Sequence, residues 1–467
     1  MPTTMRPETK GPAASIARPV RVVAVAVVVV GLALIVAAWT YPSAFALPGP
    51  SARTVAYAPV MLVPWQALAV RGSRTPVLTP AQRAAIVAVD TARGPLLAAL
   101  VVLLVVVLAA AAVGAWRLAP GSRLRRALAR SLLVALSAPA AAYLASATTS
   151  GAVDPRQVEI AVIGWLAIVS AVCIAASVHY GVERVTAVLC LATAAVIVVD
   201  QWASGPLMLA NVLGYSAIMS GRSYGLGNDT AGLLLMFVAG GLALLAPPGD
   251  SPRARSFALA GAAALGVSVV TCVSPWWGAN VGVAAWGTVL VCVAWNGLRP
   301  TSWPRSVVIW VALALAVVIA GLVAADAVLG LTHVGVAVAA MFRSGGSVLI
   351  AEASRIFGAS VSFARRNFWT AVIAAAFAAV TWLRLRPPRA VGDVLRARPA
   401  VRSMVSAAIA GSLVAMVVED TGPAIVGSLA IVALGLIVVA VLESSAPPAD
   451  DSLAADAGST TDAGGAR

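Results

Sequence analysis

Charge is what this sequence has least of. Only 11% of its 467 residues are Asp, Glu, Lys or Arg, against 61% hydrophobic, and the mean hydropathy is +0.95. A soluble domain covers its surface with roughly a quarter of its residues charged, so no large soluble domain is expected on any part of the chain. Lysine is almost missing, with Lys10 standing beside 31 arginines. Histidine occurs twice, at His179 and His333, and cysteine four times, at Cys173, Cys190, Cys272 and Cys292. None of these has the spacing of a zinc site, and the cysteines fall singly within apolar runs, where a free thiol acts as a small hydrophobe. No disulfide framework, metal or cofactor is expected. Aromatics make up 6%, and the tryptophans at Trp276, Trp277, Trp295 and Trp369 stand at the ends of apolar runs, as in a membrane aromatic belt.

What is present is a series of apolar runs rich in Val, Ala and Leu, of roughly the length that crosses a bilayer as helix. They lack the alternation of an outer-membrane barrel. The fold class is therefore an all-α, polytopic integral membrane protein of about twelve transmembrane helices. Spans are expected near 22–39, 95–116, 131–148, 160–178, 185–199, 230–246, 257–273, 281–295, 307–325, 368–383, 403–418 and 424–442. The net charge of +14 does not point to nucleic acid, because the arginines sit in short loops between apolar runs. With the N-terminus inside, the cytoplasmic segments hold 21 of the 32 basic residues, which favours an N-in, C-in topology.

The organisation expected is a cytoplasmic tail over 1–21, a membrane domain over 22–442 and an acidic, disordered cytoplasmic tail over 443–467. Basic inner loops such as "RLAPGSRLRRALARS" and "LRLRPPRAVGDVLRARPAVRS" anchor the topology and touch anionic lipid as a by-product. Ala44-Phe45-Ala46 has the small-x-small form of a leader-cleavage site. The apolar run before it is longer than a leader core, so an uncleaved first helix is expected. Three external segments are long: 40–94, 200–229 and 326–367. The first contains a helix start, with Thr79 as cap and Pro80 at the first helical position. The third has the pattern of amphipathic helices lying at the membrane surface.

The second external segment carries "SGRSYGLGNDTAG", Ser220 to Gly232, at the entry to an apolar run. Its glycines allow a sharp bend and close approach of a ligand. Arg222 offers a planar fork of donors suited to phosphate, and Tyr224 and Asn228 add polar contacts. Asp229 or Thr230 is positioned to cap the following helix. On the same side fall Asn280, His333, Arg343, Arg355, Arg365, Arg366 and the pair Glu419-Asp420. Ionisable groups at membrane ends are functional candidates, and several arginines with a few acids suit a pyrophosphate. His333 or Asp229 would serve as general base on a hydroxyl, with the others binding substrate; Glu419-Asp420 is also suited to hold a metal or act as base. For each of these the plainer structural role stays open: a snorkelling arginine, an interfacial histidine, a helix cap, or a turn before Gly422-Pro423. His179, on the cytoplasmic side, is read as structural.

"RSYGLGN" leading into a span resembles the R-x-x-G-T-F-G-N-P-N segment of O-antigen ligases and polymerases. In those proteins a helix hairpin follows, with T-x-S-R-G-A in the return turn. Here "VVTCVSPWWGANVGVAAWG" occupies that place, over a match of roughly residues 205–295. Asp229 and Thr230 stand where Pro-Asn is expected, and Pro275-Trp276-Trp277 replaces the arginine-bearing turn. The chain also resembles a group of bacterial polytopic proteins with an R-Y-Y-G-I-G-N-E motif, a later H-x-G, an R-K/R-N element and a late N-D-S-G. The counterparts are "RSYGLGND", "HVG" at His333, "ARRNFW" and "VEDTG" at Glu419.

These resemblances imply a GT-C-like plasma (inner) membrane protein of the cell envelope. It would ligate or polymerise glycans carried on polyprenyl pyrophosphate at the outer face. Its partners would be membrane lipids, a lipid-linked glycan and other envelope proteins, with no nucleic acid. A transporter or flippase of a lipid or anionic solute, and a non-catalytic membrane scaffold, are the two other readings. The apparent scarcity of charge inside the spans weighs against transport.

Overall fold

A computed structural model describes residues 80–149, 152, 154–203, 205–209, 211–214, 225–304, 306–329, 347–366 and 369–444. The expected span at 22–39, Arg222, Tyr224, His333, Arg343, the side chain of Arg366 and the tail after 444 lie outside the described residues. Every regular element among the described residues is a helix, and the protein is a multi-pass membrane protein.

The first described helix, α1 (Pro80–Arg117), opens at the proline the sequence marks as a start and continues through Pro95. The stretch from Pro80 up to the expected span at 95–116 is therefore part of the same helix. The charged residues in it explain how. Asp90 and Arg93 pair at 2.5 Å one turn apart and are both buried, so neither enters the bundle as a bare charge. A basic stretch read as loop is also helical. Ser122 accepts from the Arg125 N–H and starts α2 (Arg123–Leu136), which breaks at Ser137 into α3 (Ala138–Thr148).

The chain then runs through α4 (Pro155–Tyr180), α5 (Val182–Trp202), the short α6 (Pro206–Leu209), α7 (Asn228–Leu245) and α8 (Pro252–Val273). After these come α9 (Val283–Leu298), α10 (Ser306–Leu329), α11 (Ser347–Arg366), α12 (Trp369–Leu385), α13 (Arg389–Ala397), α14 (Pro399–Val418) and α15 (Gly422–Glu443). Polar caps punctuate the apolar pattern. Asp154 and Gln157 form a reciprocal capping box on α4, and Ser251 caps α8.

Among the described residues, nine helices, counting α2 with α3 as one, are long and apolar enough to cross a membrane. The apolar α9 falls short at 16 residues, and α11 meets α12 at a bend of 101°. Helix α11 lies where amphipathic surface helices are expected, and it exposes Ile350 and Phe357. Helix α10 runs further than expected, however, and takes Asp326 with it to a buried position.

Helices α7 and α15 form the centre, 83% and 89% buried along their apolar windows, whereas α4 at 22% and α10 at 6% face outward toward lipid. Lipid tails are as apolar as leucine, so close packing rather than water exclusion holds such helices together. Gly240 shows the device: a Cβ there would lie 2.1 Å from a Leu436 methyl across the α7–α15 contact. One expected belt residue is instead a core peg. Trp295 is 2% exposed and donates its indole N–H to the Ala258 carbonyl at 2.8 Å.

The helix ends sort into two sets. One end gathers Arg117, Arg125, Arg253, Arg299, Arg384 and Arg398, and is stitched by Arg398–Glu183 and by Arg125 on the Val441 carbonyl. The opposite end is poor in arginine and carries the polar segments considered next.

Candidate functional site

Three irregular stretches meet at the arginine-poor end. The first is the end of "RSYGLGND", where Gly225 has φ +88° and the backbone turns into α7. Glycine is required there twice over, since a Cβ would also lie 2.3 Å from the Gly278 carbonyl oxygen. That carbonyl accepts from the Leu226 N–H at 2.7 Å. The second stretch, Ser274 to Gly282 between α8 and α9, folds back on the end of α8, with Gly278 N–H on Thr271 O at 2.8 Å and Asn280 N–H on Cys272 O at 2.9 Å. The third is the turn Glu419 to Thr421 between α14 and α15, closed by Gly422 N–H on Glu419 O at 3.3 Å.

Side chains join the three. Asn280, fully buried, donates to the Asn228 Oδ1 at 2.7 Å and to the Leu226 carbonyl at 3.3 Å. These two acceptors fix which end of the Asn280 amide carries hydrogen, and its own Oδ1 is buried without a partner. The Asn228 amide nitrogen in turn faces Thr421 Oγ1 at 2.6 Å, Glu419 Oε2 at 3.1 Å and Asp420 Oδ1 at 3.3 Å. Two amide hydrogens thus serve three converging oxygens. Glu419, 5% exposed, also accepts from the Trp286 indole at 3.0 Å, and its carbonyl accepts from Ser360 of α11 at 3.2 Å. Gly282 leaves room for this carboxylate, because a Cβ there would sit 2.0 Å from its Oε1. At the rim, Arg355 approaches Asp420 at 3.9 Å with both side chains half-exposed.

Of the residues the sequence singles out, the structure brings together Asn228, Asn280, Glu419, Asp420 and Arg355. Asp229 follows Asn228 directly but lies within electrostatic reach of Arg93. Neither it nor Thr230 is the helix cap, since the cap position falls on Gly227 and Thr230 donates instead to the Leu213 carbonyl at 2.9 Å. Arg365 is exposed, more than a turn beyond Ser360 along α11. Arg222, Tyr224, His333, Arg343 and the Arg366 side chain lie outside the described residues.

Ser360 escapes a reading by motif, while Trp286 and Thr421 stand inside the quoted "VVTCVSPWWGANVGVAAWG" and "VEDTG" without being singled out as site residues. Trp286 is one apolar residue within an apolar helix, and nothing nearby in sequence announces its buried carboxylate partner. The apparent scarcity of charge inside the helices is also revised. Asp90, Arg93, Asp200 and Asp326 are all buried, and Asp200 accepts from the Leu207 and Met208 N–H groups at 2.7 and 3.1 Å, fixing α6.

The chemistry available is that of a held carboxylate. No three His, Cys, Asp or Glu side chains gather among the described residues. Glu419 is oriented by an indole and an amide, the arrangement that fixes a base or a charged recognition group in one rotamer. Compared with known proteins, the chain matches no protein-family model, no curated protein and no solved structure.

Proposed function

We propose that the chain is a plasma (inner) membrane protein of the cell envelope that transfers glycans from a polyprenyl-pyrophosphate carrier at the outer face, as a ligase or polymerase. It would have about twelve spans, N-in and C-in, counting the first apolar run, the short α9 and α12. The arginine-rich helix ends would then face the cytoplasm and the polar junction the outside.

The observation that carries this reading is the meeting of Asn228, Asn280 and Glu419. The segments "RSYGLGND", "SPWWGANVG" and "VEDTG", which the resemblance singles out, converge on one buried carboxylate. Arg222, six residues before Asn228, would hold the pyrophosphate as negative charge develops on the leaving group. The acceptor hydroxyl oxygen would bond to the anomeric carbon as the carbon–oxygen bond to the carrier breaks. The hydroxyl proton would pass to His333 or Asp229, with Arg343, Arg355, Arg365 and Arg366 disposed around the anionic carrier.

A labelled lipid-linked donor should bind the purified protein and bind several-fold more weakly to Arg222→Ala. Unchanged binding by that variant overturns the assignment.

One observation favours a second reading, a carrier for a lipid or anionic solute. Helix α9 has only 16 residues, and the non-helical, partly buried Ser274 to Gly282 precedes it. Short and broken helices beside buried polar groups are the form of a transport site. Flux of solute or lipid across proteoliposomes without glycan product would select this reading.

A further inference from the structure

The arginine-rich end carries a separate feature, where α12 packs against α14. Arg402, Ser406, Ile409, Leu413 and Met416 follow one another at helical spacing along one side of α14. Arg402, Leu413 and Met416 are exposed, with Ser406 and Ile409 half-buried between them. This stripe is about 21 Å long, most of the hydrocarbon thickness of a bilayer, so lipid covers it in a membrane-spanning helix. Leu385, at the end of α12, is 72% exposed beside it. Arg402 closes the stripe at headgroup depth, since a guanidinium at the end of an apolar face reaches for the membrane–water boundary.

A second cation is fixed beside it. Arg384, in the last turn of α12, donates Nε to Ser406 Oγ at 2.8 Å, and that hydroxyl donates to the Arg402 carbonyl at 3.1 Å. Ser406 and Arg402 stand one turn apart on the same face, so the two guanidiniums lie within electrostatic reach of each other. Neither forms an ion pair with a carboxylate among the described residues, although their neighbours do: Arg398 pairs with Glu183, and Arg396 with Asp393. Two cations held together without a counter-charge repel, and an anion that bridges them removes the cost. Arg384 is only half-buried, and with Nε engaged its two Nη groups remain to meet such an anion. A phosphate accepts from both arginines at once. A lipid of net negative charge brings it there without a headgroup cation of its own.

We propose that Arg384 and Arg402 together bind the phosphate of an anionic phospholipid whose acyl chains lie along the exposed stripe of α14. Ser406 is a positioning residue that holds Arg384 toward Arg402. A topology anchor needs only positive charge somewhere at this end, whereas this site needs these two side chains in this arrangement. It lies at the opposite end of the bundle from the polar junction, so it stands or falls independently of glycan transfer.

The test is native mass spectrometry of the full-length protein in neutral detergent, titrated with phosphatidylglycerol or phosphatidylcholine of the same acyl chains. Phosphatidylglycerol should bind at least about tenfold tighter. Arg402→Gln, at an exposed position, and Arg384→Gln should each lose about fivefold for phosphatidylglycerol alone. Ser406→Ala should lose part of the preference, and Ser406→Thr, which keeps the hydroxyl, should retain it. Arg396→Gln removes the same charge from the same end, but from an arginine already paired with Asp393, and should leave the preference intact. Equal affinity for the two lipids, or an equal loss in Arg396→Gln and Arg402→Gln, overturns the proposal. Displacement of phosphatidylglycerol by an equal concentration of inorganic phosphate overturns it too, by making a free anion the ligand. So does a disulfide between Arg402→Cys and Asp451→Cys in phosphatidylglycerol vesicles, by making the acidic C-terminal segment the occupant.

Discussion

Asn280 donates its side-chain amide to the side-chain oxygen of Asn228 at 2.7 Å, and this bond ties the turn between α8 and α9 to the first residue of α7. Asn228 passes the connection on to Glu419, Asp420 and Thr421. Two amides thus couple α7 to the α8–α9 and α14–α15 pairs at one end of the bundle.

Removing either amide strands a buried partner. Asn228→Ala or Asn280→Ala should each cost about 1–3 kcal/mol. The double variant should cost clearly less than the two together, because both remove the same bond. Unfolding in detergent measures this, and strict additivity would show that the two residues act separately.

Gly282 has space only for hydrogen beside Glu419, with a Cβ position 2.0 Å from Oε1. Gly282→Ala should destabilise by about 1–3 kcal/mol and loosen the carboxylate. Gly266 in α8 has no atom within 4 Å of its Cβ position. Gly266→Ala should therefore be neutral or stabilise by up to about 1 kcal/mol. Equal thermal shifts in the two variants would contradict the close approach at Gly282.

The indole of Trp286 holds one oxygen of Glu419 at 3.0 Å. Trp286→Phe keeps an aromatic ring but deletes the donor, at an expected cost of about 1.5–3 kcal/mol. In a Glu419→Gln background the same change should cost less, since a neutral acceptor needs the indole less. A cost that does not change between backgrounds would mean that Trp286 contributes packing alone.

Asp250, between α7 and α8, has its carboxyl held below the usual carboxylate range by the Thr301 hydroxyl at 2.8 Å, with the Ser302 N–H at 2.9 Å adding to the effect. A depressed value means that the contact contributes stability above the unfolded pKa and loses it as pH falls through the lower, folded one. Protection of the Ser302 amide from exchange should therefore persist through the ordinary aspartate range and be lost only as pH falls through the lower, folded value. Asp250→Asn should remove that dependence; the same pH profile in both proteins would rule it out.

Much of this architecture can be read from hydropathy alone, because a bilayer demands long apolar helices and little else satisfies it. Boundaries are harder to read where charges are neutralised in three dimensions. Asp90 and Arg93 look like the end of an external loop until their pairing inside α1 is seen. Trp295 looks like a belt residue until its bond to Ala258 places it in the core. At the polar junction, Asn228, Asn280, Glu419 and Asp420 stand out as polar residues among apolar neighbours. Their convergence is not legible, since 52 residues separate Asn228 from Asn280 and 191 separate it from Glu419. Trp286 gives no signal at all, being an apolar residue in an apolar helix whose partner lies 133 positions away.

The most direct measurement is glycan transfer by the purified protein in proteoliposomes supplied with a labelled polyprenyl-pyrophosphate oligosaccharide and its acceptor, comparing wild type with Glu419→Gln and Arg222→Ala. The proposed function predicts a labelled product from the wild type. It also predicts a loss of at least about a hundredfold in Arg222→Ala and a measurable loss in Glu419→Gln, whose carboxylate joins the three segments, with thermal unfolding showing each still folded. Product formed equally well by folded Glu419→Gln and Arg222→Ala would contradict it.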